Sequence, residues 1–177
     1  KSIQSISNAD YTNELLDNKT HIQFPDSKSN INDFDHLIKI SSSFDSGEKF
    51  ILLADPQRRF SKILQLGRVG ESGESYAFNR DGVMISESRF TKDLIQNGLL
   101  KTGELSELNI TLRDPKSNNF TSMATNAIKG YEGKNVSGYN DYRGIKVIGA
   151  WTWSEKLGIG IATEIDFDEA YKSYLKV

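Results

Sequence analysis

The chain has no cysteine, which removes disulfides, thiolate metal sites and thiol nucleophiles together. That absence alone does not separate a cytosolic from a periplasmic protein. Its two histidines, His21 and His36, lie far apart with no helical i, i+4 partner and no neighbouring ligand set, so no metal is expected. Neither sign of charge dominates: 22 Lys and Arg stand against 24 Asp and Glu, without a basic block. The electrostatic footprint that nucleic acid or an anionic membrane surface requires is therefore missing. No apolar run approaches the roughly 18 residues of a membrane span, and Lys1 opens no signal-peptide pattern. The expectation is a soluble domain, or the excised soluble part of a membrane protein, and 177 residues suit one domain.

What is present changes texture along the chain. Residues 1–35 are polar, with Ile3, Ile6, Tyr11, Leu15 and Leu16 spaced for a helix. Two β-like runs, 36–42 and 49–54, flank FDSGE, whose Asp-Ser-Gly is turn chemistry, and read as a hairpin. Asp55 and Pro56 then open a short amphipathic helix carrying Phe60, Ile63, Leu64 and Leu66 and stopped by Gly67. SYAFN and VMISES are strand-like and joined through Arg80-Asp81-Gly82, a strong hairpin signal. A short helix is expected over 91–97, a strand over 108–112 and a turn at 113–115, followed by a long polar loop up to about residue 140. IKVIGAWTW and IGIATEI are the clearest strands, and a terminal helix begins near Asp166. The order gives an α+β domain on an antiparallel sheet of five or six strands, including 75–79, 83–88, 146–153 and 159–165.

The stretch GRVGESGESY, residues 67–76, raises three chemical possibilities. A phosphate cradle needs Gly-Lys-Ser/Thr opening a helix, whereas here Glu71 and Glu74 flank the glycines, would repel an anion, and lead into a strand. A nucleophile elbow needs Gly-x-Ser-x-Gly between strand and helix, and Gly70-Glu71-Ser72-Gly73-Glu74 lacks the final glycine and runs the other way. The remaining reading is a glycine-bent connection that ends one helix and turns the chain into the sheet. With Ser72 set aside, no enzyme activity, no catalytic residue and no cofactor are expected.

The run GRVGESGESYAFNRDGVMISESRF over 67–90, then GYNDYRGIKVIGAWTW over 138–153 and IGIATEIDFDEAY over 159–171, resembles the Cache domains, the extracytoplasmic PAS-like sensors of bacterial receptors. The likeness covers about the second two thirds of the chain and is closest to the membrane-proximal Cache type. It implies a PAS-like fold with a central antiparallel sheet, helices on one side, a ligand pocket on the other, and a final helix leading to a transmembrane segment. The implied division is one domain over 1–177, with an N-terminal helical segment (1–35), a PAS-like core (36–166) and a C-terminal helix (167–177).

Strand alternation puts Gly149, Trp151 and Trp153 on one face, and Gly160 with Ala162 on one face of the next strand, leaving room for a ligand or for packed side chains. Trp151 and Tyr76 are ligand-wall candidates whose alternative is core packing. Arg89 and Arg143 are candidate partners for a ligand carboxylate, against local pairing with Glu87 or Asp141. Asp141 and Tyr142 add a candidate amine partner and an aromatic lid, or else a turn cap and a packing residue. The acids Glu164, Asp166, Asp168 and Glu169 read as capping rather than calcium binding, with Asp166 and Glu169 in N-cap and N3 relation.

The expected function is an extracytoplasmic small-molecule sensor of a kinase, cyclase, phosphatase or chemoreceptor, periplasmic or extracellular. Its expected partners are a small organic ligand such as a carboxylate or amino acid, the membrane anchor of the parent protein, and a second copy through the terminal helices. The alternative is a structural or dimerisation module that binds no ligand. Ala170, Tyr171, Tyr174 and Leu175 form the apolar stripe of the expected output helix.

Overall fold

The computed structural model describes residues 20–25, 37–55 and 60–172. Most of the expected N-terminal helix, Pro56, His36, Tyr174 and Leu175 lie outside those residues. Where residues 20–25 are described, the chain is a strand and not a helix: β1 (Thr20–Gln23) pairs antiparallel with β2 (Ile38–Ser43), which pairs with β3 (Lys49–Ala54). The hairpin expected between β2 and β3 is present, its turn held by the Phe44 amide donating to Glu48 O at 2.9 Å and by Gly47 at φ +83°.

Helix α1 (Phe60–Gln65) follows, then β4 (Glu74–Phe78), α2 (Thr91–Gln96), α3 (Ser122–Ala127), β5 (Gly133–Asn140), β6 (Lys146–Ser154), β7 (Ile159–Asp166) and α4 (Phe167–Tyr171). The last four strands form an antiparallel sheet in the order β4-β7-β6-β5. The chain is thus a mixed α and β structure with two antiparallel sheets. Among the described residues no helix is long and apolar enough to cross a membrane.

Among the described residues the central sheet has four strands, where five or six were expected. The Asp-Gly turn closes, with Gly82 at φ +71° and the Ile85 amide donating to Ala77 O at 2.9 Å, but the returning arm over 83–88 is no strand. Met84 instead exchanges backbone bonds with Ile110 and Leu108, and Ser86 Oγ accepts the Ala77 amide at 3.0 Å. Serine hydroxyls here take donors that a ladder would use. The expected strand over 108–112 is likewise reduced to bridges at Thr111 and Arg113, with Leu108 at φ +62° interrupting it.

The long loop expected up to residue 140 is in fact a helix and a strand. Thr121 caps α3, its side chain accepting the Ala124 amide at 3.2 Å. β5 is an edge strand with a bulge between Asn135 and Tyr139, where Asn135 Oδ1 accepts the Ser137 and Gly138 amides.

One face of the four-stranded sheet holds the main core, with Tyr76, Phe78, Met84, Leu112, Met123 and Trp153 all buried. The other face packs Ala77 and Ile159 against Phe60 and Leu64 of α1, and Phe60 meets Phe24 after β1 at 5.2 Å between ring centroids. The room expected over the small residues is occupied: Phe78 lies over Gly160, where an added Cβ would sit 2.5 Å from Phe78 Cε2 and 2.9 Å from Cε1.

Phe78 is fully buried against Tyr76 and Trp153, each at 6.3 Å between ring centroids, so its ring has nowhere to move. Gly160→Ala is expected to destabilise the protein by about 1–3 kcal/mol through overpacking, although alanine is ordinarily the better strand residue. Denaturant unfolding measures this, and equal or higher stability would contradict the packing.

Candidate functional site

Residues directly opposite in an antiparallel pair share a face. The register therefore sets Glu74, Tyr76 and Phe78 of β4 beside Glu164, Ala162 and Gly160 of β7. It sets Gly149, Trp151 and Trp153 of β6 beside those same three β7 residues. Tyr139 joins the face from β5 opposite Val147. Two carboxylates, those of Glu74 and Glu164, consequently stand as cross-strand neighbours with their residues 2% and 4% exposed.

A buried carboxylate must be hydrogen-bonded or protonated. The Glu164 carboxyl accepts from the Tyr76 hydroxyl at 2.8 Å and the Tyr139 hydroxyl at 2.6 Å. The Glu74 carboxyl accepts from the Tyr142 hydroxyl at 2.6 Å, the Ser88 hydroxyl at 3.0 Å and the Arg89 amide at 2.5 Å. Burial pushes Glu164 up to about 8, and the charges of Asp141 and Glu74 add to it against the tyrosine hydrogen bonds. Burial also raises Glu74, opposed by its bonds from Tyr142, the Arg89 amide and Ser88. The phenols of Tyr76, Tyr139 and Tyr142 are raised too, first by burial and then by the adjacent carboxylates, and stay as donors.

The Asp-Tyr-Arg-Gly turn closes one end of this face. Asp141 Oδ1 accepts the Arg143 and Ile145 amides at 2.8 and 3.0 Å, which is turn capping. Its Oδ2 accepts Arg143 Nε at 2.6 Å, and Arg143 NH2 donates to Asp166 Oδ1 at 2.6 Å. The Arg143 guanidinium also stacks 3.7 Å from the Phe90 ring centroid. Its two carboxylates come from the fold, so a ligand carboxylate would have to displace one. Arg89 donates to Gly73 O at 2.6 Å and to Gly70 O at 3.0 Å, both in the turn that precedes β4.

Of the residues expected at a site, Tyr76, Tyr142 and Trp151 come together around the glutamates and the sheet face. Asp141 and Arg143 form their own ion pair at its end, and Arg89 braces the glycine turn. The expected Asp166–Glu169 capping box is absent. Asp166 makes no side-chain cap bond, and Glu169 reaches the glycine turn. The sequence reading missed Glu74, Glu164, Tyr139 and Ser88. Alternation from Gly160 and Ala162 carried the signal for Glu164, whose place among the acids before α4 read as capping.

On the sheet face, the Trp151 and Trp153 indole nitrogens are buried and have no hydrogen-bond partner among the described residues. The Trp151 ring meets Tyr139 edge-on at 6.1 Å and overlies Gly133, where a Cβ would lie 3.0 Å from its Cζ2. A separate open groove of about 930 Å³ runs beside α4, lined by Phe90, Asp93, Arg143, Asp166, Glu169 and Lys172 among others.

No protein-family model and no curated protein matches the chain. Among solved structures it is similar to the extracellular domain of the candidate histidine kinase mmHK1S-Z2, at 13% identity over 85% of this chain and 52% of that one, with a TM-score of 0.49. The corresponding domain of mmHK1S-Z3 is similar at 15% identity over 90% of this chain and 54% of that one, with a TM-score of 0.47. The chain spans about half the length of these two structures.

The glutamate pair gives stability a definite pH dependence. An unfolded glutamate titrates near about 4.3, whereas folded Glu164 holds its proton to about 8. Between those values the folded chain binds more protons, so its stability is greatest at the acidic end and falls as pH rises, by at most about 1.4 kcal/mol per pH unit. The melting temperature is expected to fall from about pH 5 to about pH 8, and Glu164→Gln is expected to flatten the profile. A wild-type profile that rises or stays level over this range would contradict the assignment.

Proposed function

We propose that the chain is a ligand-binding sensor domain of a membrane-anchored signalling protein, facing the periplasm or the extracellular space, with no catalysis of its own. The Cache-like segments at 67–90, 138–153 and 159–171 support this reading. So does an antiparallel sheet whose last strand passes directly into a helix. The observation that carries the ligand is the pair of buried indole N–H groups on Trp151 and Trp153 without an acceptor among the described residues. Each unpaired buried donor costs about 1–3 kcal/mol, and a bound molecule carrying oxygen acceptors would remove that cost. The proposed ligand is therefore a small carboxylate or amino acid whose oxygens meet the indoles of β6. Arg143 is already matched by Asp141 and Asp166, and Arg89 by backbone carbonyls, so the tryptophans are the better anion-side partners.

A structural or dimerisation module is the second reading, and it has an observation in its favour: Phe78 and its neighbours fill much of the sheet face. In that case the chain would associate with a second copy through its terminal helices.

A thermal-shift screen of organic and amino acids separates the readings, followed by titration of the best hit. Replacing either indole donor, by Trp151→Phe or Trp153→Phe, is expected to weaken binding about five- to tenfold, the worth of one neutral hydrogen bond. Equal affinity in both variants would remove the tryptophans from the site, and a screen without hits would favour the structural module.

A further inference from the structure

The glycine turn binds an anion after all, and the chain supplies that anion itself. The Glu71 amide donates to Glu169 Oε1 at 2.8 Å, and the Ser72 amide donates to Glu169 Oε2 at 2.7 Å. The Ser72 hydroxyl donates to the same Oε2. Two successive amides and a hydroxyl converging on one carboxylate make a backbone nest, the kind of concavity that selects anions. The flanking acids do not prevent it, because main-chain N–H groups provide the recognition. Glu169 is held below the usual carboxylate range by the Ser72 hydroxyl first and the Glu71 amide next.

The turn is shaped for this occupant. Gly70 adopts φ +61°, and a Cβ there would collide with the Glu169 carboxylate. A Cβ on Gly73 would lie 2.8 Å from the Val69 backbone N and C. In a trans peptide the C=O and N–H point in opposite directions. Arg89 donates to Gly70 O at 3.0 Å, so the Glu71 N–H of that same peptide is turned away from the guanidinium and toward Glu169. Arg89 is thus a positioning residue acting through one peptide bond.

Helix α4 supplies the occupant. None of its residues is fully buried, and Phe167, Ala170 and Tyr171 are half-buried, so apolar burial fixes it only in part. Its other anchors are Phe167, under Lys146 Nζ at 3.8 Å, and Tyr171, whose hydroxyl donates to Val136 O at 2.9 Å. Both lie toward β5 and β6, whereas Glu169 ties the helix to the turn before β4. At its start, Ser72 Oγ also accepts the Asp166 amide at 3.0 Å.

We propose that residues 70–73 form a carboxylate-recognition site which the chain occupies with Glu169, and that this occupancy fixes the position of α4. The inference goes beyond ligand binding on the sheet face and holds whether or not that face takes a ligand.

The test is amide NMR and hydrogen exchange on wild type, Glu169→Ala and Ser72→Ala, with acetate as the probe. In Glu169→Ala the Glu71 and Ser72 amides are expected to lose protection, and the α4 amides to exchange at least about tenfold faster, while the β6–β7 ladder stays protected. Adding acetate should shift the Glu71 and Ser72 resonances back toward wild type in Glu169→Ala and leave wild type unmoved. Ser72→Ala, which keeps both amides, should show an intermediate loss. Unchanged protection in Glu169→Ala would overturn the proposal. So would an emptied turn that ignores acetate, or a wild-type turn that responds to it as strongly.

Discussion

Two glutamates facing each other across neighbouring strands, both out of water, set the terms for the rest of this fold. Like charges at that separation cannot both be held ionised in a low-dielectric interior without extensive hydrogen bonding. The chain answers with a Glu164 carboxyl pushed up to about 8, three tyrosine hydroxyls and a serine. Each donor comes from a different place: Tyr76 from β4, Tyr139 from the β5 edge, Tyr142 from the following turn, and Ser88 from the arm after the Asp-Gly hairpin. Satisfying the pair therefore fixes where four segments lie. It also explains why an arm expected to be a strand is irregular, since Ser86 and Ser88 spend their hydroxyls on a β4 amide and on Glu74.

From this centre a continuous set of polar contacts reaches α4 by two routes. Glu74 accepts the Arg89 amide, and the Arg89 guanidinium braces the peptides of Gly70 and Gly73, whose turn holds Glu169. Glu74 also accepts from Tyr142, whose neighbour Arg143 binds Asp166 at the start of the helix. Contiguity of this kind is the physical substrate a coupling needs, and its strength is a matter for double-mutant cycles between the sheet face and α4. One route ends on Glu169 within α4, and the other on Asp166, the residue that leads into it.

How much of this was legible in the sequence depends on what each residue's pattern could carry. β4, β6 and β7 announce themselves by alternation and by glycine turns, and α1 and α2 by spacing and stop signals. β5 did not, because GKNVSGYN is polar with one glycine at its start and another inside its bulge, as an exposed edge strand can be. SMATNA hid α3 in the same way: small residues pack closely without producing an apolar stripe. At the site, Tyr76, Tyr142 and Trp151 were visible as aromatics on or next to strands. Glu74 and Glu164 were not, because an acid at a strand end is ordinarily turn or capping chemistry, and only the pairing register reveals that two of them share a buried row. Arg89 and Arg143 stood out as candidate partners for a ligand carboxylate. Their partners, backbone carbonyls and two aspartates, are set by tertiary contacts that spacing does not encode.

The central claim is that the sheet face carries a protonated Glu164 beside Glu74, and a carboxyl-carbon NMR titration of Glu164 reads this directly. The expected midpoint is near 8, displaced far above the value of about 4.3 for a solvated glutamate. A Glu164 carboxyl that titrates with the exposed glutamates would contradict it, and with it the reason given for the placement of the tyrosines around that pair.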